Sequence, residues 1–105
     1  MEVPRSLSFD IKEGKRTISH VFFTVDEGKF YNDLYESDFK WMLDESGSWE
    51  ELMFFLRSRI FPKRDDGYKD LEMLGLKKYD VFEILKKTNG KMFHDDISIE
   101  NLKFL

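Results

Sequence analysis

The sequence predicts an α+β fold, and three observations carry that reading. Apolar alternation over Ser6–Ile11, followed by β-branched and aromatic stretches set between turn signals, marks strands over roughly the first 35 positions. Helical spacing and capping signals then occupy the middle of the chain, and alternation returns near residue 97. Strands first, helices between and a strand at the end describe an N-terminal antiparallel β-meander, central short helices and a closing C-terminal strand. At 105 residues, one domain spanning 1–105 is the natural size.

Each element has its own signal. Leu7, Phe9 and Ile11 fall on one face of a strand over Ser6–Ile11, with Ser8 and Asp10 on the other. Glu13-Gly14-Lys15 turns the chain, and Thr17–Val25, rich in β-branched and aromatic residues, is the hairpin partner. Asp26-Glu27-Gly28-Lys29 is a second turn, leading into a third strand over Phe30–Tyr35. Phe39, Met42 and Leu43 then follow helical spacing, with Ser37 or Asp38 as N-cap and Ser46-Gly47 as the interruption. Ser48 and Glu51 form a capping-box pattern ahead of Leu52, Phe55, Leu56 and Arg59, which predicts a helix from Trp49 to about Ser58, closed by Pro62. Leu71 and Leu74 before Gly75 mark a short helix with a glycine stop. Asp80 as N-cap, Glu83 at N3, inward Val81, Ile84 and Leu85, and Asn89-Gly90 as the stop mark another. Ile97 and Ile99, alternating with Ser98 and Glu100, give the last strand, free to join the N-terminal sheet.

Composition bounds the chemistry. There is no cysteine, so disulfides and thiolate metal sites are excluded, and the reducing cytosol is permitted. The N-terminal MEVPRSLSFD lacks the apolar core of a secretory signal, and the longest apolar run, Leu52–Leu56, is far too short to cross a bilayer. A soluble, cytoplasmic protein is the expectation. A net charge of −4 and a pI near 5.2 disfavour non-specific adhesion to nucleic acid. Charge is also segregated along the chain. Residues 26–51 hold nine acidic and two basic side chains, a net of −7, whereas residues 52–105 are net +2.

Three groups of residues are candidates for function. The acidic segment offers Asp33, Glu36, Asp38, Asp44, Glu45, Glu50 and Glu51, interleaved with Phe30, Tyr31, Tyr35, Phe39, Trp41 and Trp49. Acids steer association toward positive clefts and aromatics anchor interfaces, so this segment is expected to dock on a protein with a basic surface. The competing reading is a solvated charged surface. The second group, Arg57, Arg59, Lys63 and Arg64, lies at the end of the capped helix. It is either macrodipole compensation or a clamp for phosphate or carboxylate. Lys77, Lys78, Lys86, Lys87 and Lys91 are a solvated helix face, or an extension of that positive surface. The third group, His94-Asp95-Asp96, holds metal-ligand types. Adjacent strand residues point to opposite faces, however, so a turn with Asp side chains capping backbone amides is the expectation. His20 is expected as a half-exposed sheet residue. No nucleophile-elbow pattern or phosphate-binding glycine loop is present, and no cofactor, metal or catalytic residue is expected.

Two resemblances bear on function. The set Phe55-x-Arg57-x-Arg59-x-Phe61-Pro62, Leu71-x-x-Leu74-Gly75-Leu76-x-x-Tyr79-Asp80-x-Phe82-Glu83-Ile84, Thr88-x-Gly90 and Asp95-Asp96-x-x-Ile99 resembles a pattern of short bacterial proteins often encoded near mobile elements. It covers residues 55–99 and brings no activity with it. In size, acidity and lack of a catalytic constellation the chain is similar to anti-CRISPR proteins, small phage or plasmid products that block Cas nucleases by occupying basic nucleic-acid channels. That resemblance implies a non-enzymatic inhibitor whose acidic surface docks on a basic cleft, with a Cas nuclease as one such partner. The alternative is a small nucleic-acid-binding or regulatory module using the basic cluster and the later lysines. An enzyme built on His94, Asp95 and Asp96 stands third.

Overall fold

The computed structural model describes residues 3–34, 43–61 and 68–105. Among these, five strands and three helices follow in the order β1 (Ser6–Glu13), β2 (Arg16–Thr24), β3 (Lys29–Leu34), β4 (Ser46–Ser48), α1 (Trp49–Arg57), α2 (Tyr68–Met73), α3 (Val81–Thr88) and β5 (Ile97–Phe104). The strands form one antiparallel sheet in the order β4-β3-β2-β1-β5. The architecture is therefore α+β: the N-terminal strands are a meander, and β5 closes the sheet beside β1.

Alternation decides the two faces. Leu7, Phe9 and Ile11 of β1, Val21 and Phe23 of β2, Phe30 of β3, and Ile97 and Ile99 of β5 are buried on one side. Against them pack Leu52, Met53, Phe55 and Leu56 of α1 and Val81, Phe82, Ile84 and Leu85 of α3, all within one core cluster. A row of rings ties the layers together. Phe23 meets Trp49 at 4.8 Å between centroids, Trp49 meets Phe82 at 6.3 Å, and Phe82 stacks on Phe104 at 5.0 Å. Such pairs add about 0.5–1.5 kcal/mol each beyond area burial.

The helix ends are built as the sequence indicates. Ser48 Oγ accepts from the Glu51 amide at 3.2 Å, and its hydroxyl meets the Glu51 carboxylate at 3.5 Å. Asp80 accepts from the amides of Phe82 and Glu83, which fixes the start of α3. α3 stops on Asn89 and Gly90, at φ 54° and 61°, and Gly75 after α2 also has positive φ. The expected helix around Phe39 and Met42, and the stop at Pro62, lie outside the described residues.

Two details depart from simple alternation. β4, three residues long, pairs with β3 where the sequence shows only an interruption at Ser46-Gly47. In β5 the register slips, because Ser8 opposes Lys103 while Asp10 opposes Glu100. Asn101, at φ 56°, occupies the left-handed region there. One inserted residue moves the inward set from odd positions (Ile97, Ile99) to even ones (Leu102, Phe104). β5 thus extends well past the Ile97–Glu100 alternation.

Candidate functional site

Within the acidic segment 26–51, the described acids lie along the β3–β4 edge and the start of α1. Asp26 and Glu27 are exposed in the turn that opens β3, and Asp33 is exposed near its far end. Asp44 and Glu45, also exposed, are held beside Asp33 by two bonds of Asn32. Its amide donates to the Glu45 carbonyl at 2.7 Å, and its Nδ2 donates to the Leu43 carbonyl at 3.1 Å. Ser19 Oγ in turn bonds to Asn32 Oδ1, so this buried polar pair fixes where the acidic strand edge begins. Glu50 and Glu51, exposed, follow β4 at the start of α1, where acids also complement the helix N-terminus. Glu36 and Asp38 lie outside the described residues, as do Tyr35, Phe39 and Trp41. Of the interleaved aromatics, Phe30 is core and Trp49 packs against it, while Tyr31 sits on the opposite face of the sheet.

The basic cluster is divided. Arg57 is exposed in the last turn of α1. Arg59, 9% exposed, points inward and spends its donors on the fold. Its Nε donates to the Gly90 carbonyl at 2.9 Å, and Nη2 to the Ile97 carbonyl at 3.0 Å. Nη1 and Nη2 grip both Asp95 oxygens at 2.9 and 3.0 Å. This bidentate pair joins the exit of α1 to the loop between α3 and β5. Lys63 and Arg64 lie outside the described residues.

Asp95 is therefore a turn residue. Its Oδ1 also accepts from the Ile97 amide at 3.0 Å, the backbone capping that the sequence indicates. The Arg59 hydrogen bonds, opposed by burial and helped by the Ile97 amide, lower its carboxyl to about 2. His94 is exposed, with Nε2 at 3.4 Å from Asp95 Oδ2. Among the described residues no group of three or more His, Asp or Glu side chains is arranged to hold a metal ion. Beside this turn lies a cleft of about 460 Å³, lined by Lys12, Lys15, Lys91, Asp95, Asp96 and Glu100 among others. Lys12 is 3.8 Å from Glu100, so part of that charge is internally paired.

The sequence does not single out the face of the sheet opposite α1 and α3. Cross-strand pairing lines up Glu100, Asp10, His20 and Asp33 in one lateral row across β5, β1, β2 and β3. His20 Nδ1 is 2.6 Å from Asp10 Oδ1, and Asn101 Nδ2 donates to Asp10 Oδ2 at 2.7 Å. Burial alone raises the Asp10 carboxyl. The bonds to His20 and Asn101, with the charges of His20 and Lys12, outweigh it and hold the group below its ordinary value. The next row pairs Phe22 with Tyr31, stacked at 5.4 Å. A hydrogen bond to Glu27 raises the Tyr31 phenol. The available signal was Phe22 itself, an aromatic on the polar side of the β2 alternation.

No family model, curated protein or solved structure matches the chain. No helix among the described residues is long and apolar enough to cross a membrane.

Proposed function

We propose that this chain is a non-enzymatic interaction protein that works as an inhibitor, docking its acidic β3–β4 edge on a basic cleft of a nucleic-acid-handling protein. A Cas nuclease is the specific partner class, and occupancy of its nucleic-acid channel is the mode of action. The observation that carries this reading is the division of labour between the charges. Asp26, Glu27, Asp33, Asp44 and Glu50 are exposed along one sheet edge and the adjoining helix start, whereas Arg59 of the basic cluster is buried in the fold. A carboxylate row at a strand edge presents negative charge at spacings set by the backbone, as a phosphate chain does, and it speeds encounter with a positive groove.

The alternative, direct binding of nucleic acid through the basic cluster and the later lysines, loses Arg59 to Asp95 but keeps Lys77, Lys78, Lys86, Lys87 and Lys91 exposed. Inhibition of guided DNA cleavage separates the two. Added protein is expected to reduce cleavage by a susceptible Cas nuclease and to lose that effect when Asp26, Asp33 and Asp44 become Lys. If the protein retards DNA or guide RNA on its own and ignores the acidic substitutions, the nucleic-acid reading replaces this one.

A further inference from the structure

Resting on that docking reading, we propose that Asn32 is a positioning residue of the acidic edge: its buried side chain holds Asp44 in place beside Asp33 before a partner arrives. Asn32 and Ser19 occupy inward positions that β3 and β2 otherwise fill with Phe30, Val21 and Phe23. Asn32 is 7% exposed and Ser19 0%. A polar pair at such places forgoes apolar burial, and its hydrogen bonds are what offsets that loss.

Those bonds lead into the docking edge. Ser19 Oγ donates to Asn32 Oδ1, and Asn32 Nδ2 donates to the Leu43 carbonyl at 3.1 Å. The Asn32 backbone amide donates to the Glu45 carbonyl at 2.7 Å. The two acceptors flank Asp44, in a stretch that precedes β4 and belongs to no strand or helix. Leu43 is buried, whereas Asp44 and Glu45 are exposed. The two bonds therefore hold the chain where it leaves the core and turns its carboxylates outward. A side-chain substitution spares the backbone bond and removes the one to Leu43. Carboxylates already held in place lose less freedom on binding than the same groups on a loose segment, so the Asn32 side chain contributes to affinity without touching the partner.

The test is titration of the whole chain with a labelled nona-lysine peptide, read by fluorescence anisotropy at low salt, beside a thermal melt of each variant. Ser19→Ala/Asn32→Leu is expected to melt close to wild type, because apolar burial offsets the lost bond to the Leu43 carbonyl, and yet to bind about two- to fivefold more weakly. Asp44→Asn is expected to weaken binding in wild type and to matter less once Asn32 is Leu. Asp26→Asn, in the turn at the other end of β3, is expected to weaken both backgrounds alike. That difference is a readout that loss of stability alone does not move. If the double variant is unfolded, Asn32→Ser, too short to keep the bond to Leu43, takes its place. A folded variant that binds like wild type, or an Asp44 effect that is the same in both backgrounds, would overturn the positioning role and leave the docking reading standing. No binding by wild type, or binding indifferent to Asp26→Lys/Asp33→Lys/Asp44→Lys, would overturn the docking reading and the positioning role with it.

Discussion

At the scale of single residues, Arg59 and Asp95 carry the most structural consequence. One guanidinium satisfies two backbone carbonyls and both oxygens of one carboxylate, across 36 positions of sequence. Removing the arginine takes the side-chain donor from both carbonyls and leaves Asp95 with the Ile97 amide but no guanidinium, in a largely buried place. Arg59→Met is therefore expected to cost about 3 kcal/mol in urea unfolding, more than Asp95→Asn, and the double variant to recover part of the loss. The pH dependence has a definite sign. Asp95 has an ordinary value of 3.8 and is lowered to about 2 by Arg59, so the folded state favours the ionised form. Its contribution is complete above about pH 4 and is lost as pH falls toward 2. In wild type, stability should fall through that window. In Asp95→Asn that part of the fall should be absent, and a melt series from pH 5 to 2 reads the difference.

At the scale of elements, the signals that were local in sequence are the ones that became structure. Ser48 and Asp80 cap their helices because a hydroxyl or carboxylate two or three residues upstream suffices to hold an orphan amide. Ser48→Ala is expected to cost about 0.5–2 kcal/mol by thermal melt. β4 was not legible, because Ser46-Gly47-Ser48 has no strand propensity of its own and pairs only because β3 lies beside it. Gly47 makes that approach possible. A Cβ there would stand 2.8 Å from the Phe30 ring and 2.5 Å from the Glu51 carboxylate. Gly47→Ala should destabilise the chain by about 1–3 kcal/mol, since Phe30 is fully buried and has little room to give. The β5 bulge left a trace, the shift from Ile97 and Ile99 to Leu102 and Phe104, but it needs Asn101 at positive φ to be read as one strand. The acidic edge was legible as composition, whereas the Arg59–Asp95 clamp and the Phe22–Tyr31 stack depend on long-range pairing that spacing does not encode.

At the scale of the whole molecule, α1 and α3 pack on one face of the sheet, and Asp26, Glu27, Asp33, Asp44, Glu45, Glu50 and Glu51 gather along the β3–β4 edge and the start of α1. The central claim is that this edge, and not the remaining basic residues, governs association. Exposed charges act over about 8–10 Å at physiological ionic strength, so steering should fade as salt rises. Asp26, Asp33 and Asp44 are carboxylates to reverse in place of Glu51, which contributes to the Ser48 cap. The decisive measurement is association kinetics with an immobilised, susceptible Cas nuclease, for wild type, for Asp26→Lys/Asp33→Lys/Asp44→Lys and for Arg57→Glu/Lys63→Glu/Arg64→Glu. The acidic variant is predicted to associate about tenfold more slowly or worse, with a smaller change in dissociation, and the basic variant to behave as wild type. Retained binding by the acidic variant, together with loss in the basic one, would contradict the account.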